Sequence, residues 1–591
     1  MNSFRRPLLF CASFLLSLMT VSPALGQAPA SSSIDPERFP QHTLFYVLWR
    51  GTPSPSARSA NSLYALWDDP DFAPARNALF DSFMSESRKS GDAKSQFTRE
   101  EISEYSTLLD NPLAIGLVGD PSKNPSTPAS PNAPADAHKW NGIFFIYDRS
   151  GKEALLAKAV LRLRAAEKEP ATLTPTIIAG VPAMKMTHKS GSDYWVETGK
   201  YVVSSGEISV VEQILKRLKP DAPQSESLAT TSEFKEAGPL LGSGSLEYFL
   251  NITAIARLAN DVPTPAGFRA GTVLDAIKIS SMHSIAGHVG LDGAKTRFQT
   301  AVLGDASEGT IFDIWGAGQA KPASIAYIPQ DAVSYREFQV NLPGIYALAM
   351  RVAKSFLAQG DQDKTDMFES MARAKLGMST SDALHALTGE LGYLQAEGSF
   401  DFSKSTFFLG VNNRDNALKL IRHVFVDNIT ADTDADGVTL FTLSSGNTRM
   451  PSGSGKYEAP NYHLTVTDDM ILVSTNTTAF RAPLAKKRSL VPPSQLAPFF
   501  AAHTGGPATV NGLSFVDFQK FDWQSLKNLP FQQPAETKPA AKSMFQDNSA
   551  PPPQKTWLDE IDPKVFSRHL HLSYGYSWKD ANGIHLEGWI D

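Results

Sequence analysis

The chain sets out one series of strand and helix patterns and then sets it out again in the same order, and this repetition constrains its fold more than any other feature. FFIYDRSGKEALLAKAVLRL, beginning at Phe144, runs from an apolar strand through a charged turn into a helix. FFLGVNNRDNALKLIRHVF, beginning at Phe407, has the same layout. In the second copy Ala417, Leu420, Ile421, Val424 and Phe425 follow the helical spacing that gathers side chains on one face. In the first, Leu156, Ala159, Val160 and Leu163 make a similar stripe.

The neighbouring segments echo as well. HTLFYVLW (His42–Trp49) and ASIAYIPQ (Ala323–Gln330) each read as a short strand just after a proline. Helical stretches follow, around Ser62–Ser87 and Pro343–Lys375. Thr98 with Glu101, and Ser379 with Asp382, then mark helix starts, where a hydroxyl caps free N–H groups and an acid supports the positive helix end. Each of those runs ends in an apolar strand, Leu113–Val118 and Leu391–Ala396. Paired strands come next: TIIAGVPAMKMTH with DYWVETGKYVVSS, and VTLFTLSS with NYHLTVTDDMILVST. Last come HSIAGHVGLDGAKTRFQTAVLG and HLSYGYSWKDANGIHLEGWI, whose Asp292-Gly293 and Asn582-Gly583 are favoured hairpin turns.

One such echo is common grammar, whereas an ordered series of them points to an internal duplication. The expected organisation is a first repeat at 35–318 and a second at 319–591, with two unrelated domains as the alternative. Strands in hairpins and meanders with packed helices between them predict an α+β class, mostly antiparallel. Three stretches rich in Pro, Ser and Ala (120–138, 446–456 and 532–554) cannot bury enough apolar surface to offset their ordering entropy, and read as mobile loops.

The N-terminus, MNSFRRPLLFCASFLLSLMTVSPALGQ, has two arginines, an apolar run and small residues ahead of Gln27. That is the make-up of a cleaved secretory signal over residues 1–26, followed by a mobile stretch at 27–34. The apolar run is shorter than the roughly 20 residues a membrane span needs. Removing it removes Cys11, the single cysteine, and with it thiolate nucleophiles, thiolate zinc sites and iron–sulfur clusters. The formal charge of −6 becomes about −8 once Arg5 and Arg6 are gone, which leaves no basic stripe for nucleic acid. A soluble mature chain without a membrane-spanning segment, exported to the periplasm or beyond the cell, is the expectation.

Motifs for chemistry are few. In ADTDADGVTLFT, Asp432, Asp434, Asp436 and Gly437 match alternate ligand positions of a calcium loop. The closing position holds Leu443 where a bidentate Glu belongs, and VTLFTL reads as a strand, so an acidic turn into a strand is preferred. Ca2+ is then the one cofactor left open, and no other is expected. PSGSGKY (Pro451–Tyr457) lacks the first glycine, the hydroxyl and the helix of a phosphate loop. His569 and His571 read as one face of a strand, with His585 set opposite Asp580 by its hairpin. No G-x-S-x-G elbow or H-E-x-x-H helix occurs.

Several repeated elements carry a resemblance: the proline-led strand with Pro40, Thr43 and Tyr46, the run LTGELGYLQAEG, and the unit opening STFFLGV. The chain resembles a loose class of large exported bacterial proteins known only as domains of unknown function. The resemblance implies an envelope or secreted protein and brings no catalytic residues with it. The expected function is therefore a non-enzymatic scaffold that binds an envelope protein or ligand. A hydrolase with an unfamiliar site between the halves, or a carrier of an apolar or lipidic ligand, are the alternatives.

Overall fold

The computed structural model describes residues 34–78, 98–119, 142–165, 171–188, 191–219, 226–242, 244–260, 269–319, 322–329, 332–356, 362–395, 405–435, 438–443, 462–475, 509–524 and 561–591. The signal at 1–26, the stretch to residue 33, the three loops at 120–138, 446–456 and 532–554, and the PSGSGKY segment lie outside these residues. The chain divides into two compact units. The first holds residues up to Trp67, Asn77–Asp313 and Lys579–Asp591; the second holds Asp68–Arg76 and Ile314–Trp578. The class is mixed α+β, with twenty strands paired antiparallel among the described residues.

In the first unit the strands are β1 (Thr43–Trp49), β2 (Leu113–Val118), β3 (Ile143–Asp148), β4 (Thr172–Ile178), β5 (Val181–His188), β6 (Gly191–Thr198), β7 (Tyr201–Ser205), β8 (Leu246–Asn251), β9 (Met282–Asp292) and β10 (Lys295–Gly304). They pair in the order β4-β5-β6-β7-β3-β2-β1-β8-β9-β10, and β20 (Gly583–Ile590) adds itself beside β10. The second unit has β11 (Ser334–Gln339), β12 (Leu387–Gln395), β13 (Thr406–Val411), β14 (Ile429–Ala435), β15 (Val438–Leu443), β16 (Tyr462–Val466), β17 (Met470–Ser474), β18 (Gly512–Asp517) and β19 (Leu572–Asp580, of which the unit holds the part up to Trp578). Their order is β14-β15-β16-β17-β13-β12-β11-β18-β19. Taken strand for strand, the two sheets run in the same order.

Local chemistry explains the elements. Thr98 and Glu101 form a reciprocal capping box, each side chain accepting the other's backbone N–H at 3.1 and 2.9 Å. Ser379 and Asn413 cap helices Thr380–His385 and Arg414–Val424 with one half of that arrangement, their side chains accepting the Asp382 and Asn416 N–H groups. The Arg414–Val424 helix buries Ala417, Leu418 and Ile421, while Val424 is exposed, so its stripe is rotated from the one read in the sequence. In β20, Gly583 lies so close to β10 that a Cβ there would meet the Val302 carbonyl oxygen at 2.0 Å. The β9–β10 hairpin turns through Gly293 at φ +61°, with Asp292 paired to Lys295.

Aromatic stacking marks both sheets. In the first unit Tyr46 lies over Phe249 at 6.0 Å, and Phe39 makes edge contacts with Tyr46 and Phe144 at 5.2 Å. In the second, Tyr335 stacks on Phe515 at 6.0 Å and on Phe408 at 5.8 Å. Beneath each stack a glycine opposes a phenylalanine, Gly116 against Phe144 and Gly392 against Phe408.

Two sequence readings are corrected. Ala323–Tyr327 is a 3-10 helix, started by Pro322 at φ −57°, and the strand of that region is β11 further on. The apolar run looked like a strand because Ser324, Ile325 and Tyr327 are all buried. His569 closes the helix Lys564–His569, so it does not alternate with His571 on a strand.

Candidate functional site

Buried polar side chains are costly unless their partners are buried with them, so the places where the sheets tolerate them are where chemistry could reside. Three such groups stand out.

In the first unit β8 turns Glu247 inward, fully buried, among apolar neighbours. Its carboxylate accepts from the Tyr46 hydroxyl at 3.0 Å, the Arg50 guanidinium at 2.7 Å and the Gly242 N–H at 2.8 Å. Three donors, one of them a cation, close the network around the charge. His288, opposite Glu247 on β9, donates from Nδ1 to the Leu240 carbonyl at 2.7 Å, and burial lowers its pKa. Burial, followed by the charge of Glu247, raises the Tyr46 phenol well above its ordinary value. The Glu247 carboxylate is satisfied in this network, although the Arg50 Nε is buried without a partner, and the arrangement serves the fold.

A second group fastens Asp68–Arg76 within the second unit. Asp69 accepts from Arg568 at 2.8 Å and lies 2.7 Å from His569 Nε2, while Arg568 also reaches Asp71 at 2.9 Å. The hydrogen bond from His569 comes first among the influences that lower the Asp69 pKa. Beside it Phe72 meets Phe566 edge-on at 5.7 Å, and Trp523 stacks on Phe566 at 4.4 Å. The ion pairs and ring contacts together read as a clamp.

The third group is of a different kind. β11 alternates Tyr335, Glu337 and Gln339 inward with Arg336 and Phe338 outward. Glu337 is 1% exposed, and so is Glu390 on β12. Glu337 opposes Gly392 and Gln339 opposes Glu390, so the two acids are diagonal neighbours on one sheet face. Glu390 accepts the Ala323 N–H at 3.0 Å and the Ser324 N–H at 2.7 Å, one on each oxygen. Glu337 accepts the Gln339 amide at 2.8 Å on Oε1, while its Oε2 is buried without a hydrogen-bond partner. Tyr335 and Ser324 hydroxyls meet at 2.7 Å above them. Among the described residues no Lys, Arg or His forms an ion pair with either acid.

Burial first, and the Glu390 charge second, push the Glu337 carboxyl up to about 8. The ordering is physically sensible. Two charges diagonal across a sheet, roughly 7–8 Å apart, repel by about 2 kcal/mol at an effective dielectric of about 20, so desolvation must supply the rest. Such a carboxyl has the proton affinity of a general acid. At 1% exposure it cannot touch a substrate in this conformation, so what it can do here is hold a proton.

The sequence candidates fall elsewhere. Asp432 and Asp434 lie in β14, opposite Phe441 and Thr439, while Asp436 is outside the described residues. Among the described residues no group of three or more His, Cys, Asp or Glu is placed to hold a metal. His585 stands 3.1 Å from Asp580, as its hairpin register implies. No helix among the described residues is long and apolar enough to cross a membrane. Sequence reasoning missed Glu337, Glu390 and Glu247 altogether. The signal available was a single acid inside an alternating strand, at an inward position of SYREFQ, of LTGELGYLQ and of LEYFLN.

No protein-family model matches the chain, and no curated protein matches its sequence. A solved structure described as "Structure of crystal form I of TP0453" aligns over 46% of this chain and 81% of that one. At 6% identity and a TM-score of 0.20, the likeness carries no argument.

Proposed function

We propose that the chain is an exported, non-enzymatic envelope protein, built from two copies of one ancestral α+β unit and acting as a scaffold for a partner protein or ligand. The observation that carries this reading is the contrast between what the units share and what they do not. The shared part is apolar: one strand order, a Tyr stacked on a Phe of the next strand, and a glycine under a phenylalanine. The most deeply buried acids, at 1% exposure or less, sit at different places: Glu247 on β8 in one unit, Glu337 and Glu390 on β11 and β12 in the other. A duplicated catalytic site would keep its polar groups in register, because chemistry depends on their mutual geometry. A duplicated scaffold needs only to keep its core.

The export reading rests on the charged, apolar and small-residue succession at the N-terminus. The test is capture from envelope extract with the mature chain as bait, followed by mass spectrometry for proteins and lipids. A reproducible partner supports the scaffold. Turnover of an ester, amide or glycoside panel with nothing captured would replace the scaffold reading with that of a hydrolase.

A further inference from the structure

We propose that Glu337 is a proton-binding site that makes the second unit pH-sensitive: the folded sheet holds this side chain as a neutral acid at neutral pH, and loss of the proton weakens the β11–β12 pairing. This goes beyond the scaffold reading and does not depend on it.

The geometry carries the inference. Glu337 is buried, one of its oxygens has no partner, and its nearest charged neighbour is another acid. The groups facing it can be taken element by element. Its own strand contributes Tyr335 and the Gln339 amide, the latter bound to Oε1. β12 contributes Glu390, and β18 contributes the backbone N–H of Leu513. The 3-10 helix Ala323–Tyr327 spends two of its N–H groups on Glu390 rather than on Glu337. The Gln339 amide and the Leu513 N–H favour the charged form, but they are outweighed by desolvation and by Glu390. A proton on the bare Oε2 removes the charge, whereas a second carboxylate there would be buried beside Glu390 without a cation.

The direction of the pH effect follows from linkage. The unfolded chain ionises Glu337 near the ordinary value of 4.5, while the folded chain keeps the proton until about 8. Between those limits the folded state binds more protons, so stability is full below the lower limit, falls as pH rises and levels off above the upper one. Across this window the unfolding constant of the wild type rises by up to about tenfold per pH unit relative to a variant that cannot ionise there.

The experiment compares the full mature chain with Glu337→Gln, an isosteric stand-in for the neutral acid, in denaturant melts from about pH 5 to about pH 9. E337Q is expected to match the wild type at the acid end and to exceed it at the alkaline end. Glu390→Gln, which removes the neighbouring charge, should move the fall to lower pH than in the wild type, while burial still holds it above the range of an unperturbed acid. Infrared difference spectra of the wild type alone, between about pH 6 and about pH 9, should show loss of a protonated-carboxyl band. Parallel pH profiles for wild type and E337Q would overturn the proposal. If E337Q fails to fold, the infrared measurement decides: no protonated carboxyl near neutral pH overturns it equally.

Discussion

In the first unit Glu247 is surrounded by Arg50, Tyr46 and the Gly242 N–H, whereas in the second Glu337 has the Gln339 amide, the Leu513 N–H and a second acid for company. Both glutamates are buried in antiparallel sheets of the same strand order, beside a tyrosine stacked on a phenylalanine. The difference teaches that strand order and ring packing do not dictate how a buried charge is handled. One unit neutralises it with a cation, and the other with a proton. A cation stays charged at any ordinary pH, while a proton stays only below its own titration, so the two arrangements respond differently as pH rises.

Replacing Arg50 by Met should break the first arrangement most severely. It strands Glu247 without its cation and is expected to cost about 3–5 kcal/mol, read from chemical denaturation. A cost below about 1 kcal/mol would mean that the Tyr46 hydroxyl and the Gly242 N–H suffice, and the contrast would vanish. Removing the tyrosine hydroxyls is the next largest test. Tyr46→Phe takes a donor from a charged acceptor, about 1.5–3 kcal/mol, while Tyr335→Phe loses a neutral contact with Ser324, about 0.5–1.5 kcal/mol. Equal losses at the two sites would show that the phenol does the same work in both sheets.

The shared apolar features give a control in which the units should agree. A Cβ at Gly116 would meet the Phe144 ring at 2.4 Å, and one at Gly392 would meet the Phe408 ring at 2.6 Å and the Arg336 carbonyl oxygen at 2.0 Å. Alanine at either position is expected to destabilise by about 1–3 kcal/mol, with Gly392 the worse because backbone yields less than a ring. The smallest effect is assigned to Asp69→Asn in the second unit. The Asp69 carboxyl titrates below its ordinary 3.8, so its contribution is present above that value and is lost as pH falls through the depressed one. The melting-temperature gap between wild type and D69N should be open at neutral pH and close on acidification. A gap unchanged by acid would assign the clamp to Phe72, Phe566 and Trp523 instead.

Most of the framework could be read from the sequence because it is written locally. The Phe-Phe strands, the capped helices at Thr98 and Ser379, and the hairpins around Gly293 and Gly583 each declare themselves within a dozen residues. β11 escaped because SYREFQ carries charge at both an outward position, Arg336, and an inward one, Glu337. Nothing local separates the two. Burial of Glu337 follows from Gly392 and Glu390 on a strand far along the chain, and a periodicity argument cannot see that neighbour. The same limit hid Glu247, whose cation comes from the end of β1. ASIAYIPQ misled in the opposite sense, since a buried apolar run need not be a strand when a proline begins it.

The pairing of β20 with β10 has a consequence for how the chain is made. β10 leaves the ribosome early, yet its neighbour from Gly583 to Ile590 is translated only after the whole of the second unit. Until then the N–H and C=O groups of β10, from Thr296 to Leu303, have a bare margin on that side, the kind of surface that recruits stray strands. Vectorial synthesis therefore cannot finish the first unit before starting the next. The edge of β10 is therefore covered last, once Gly583–Ile590 has been made.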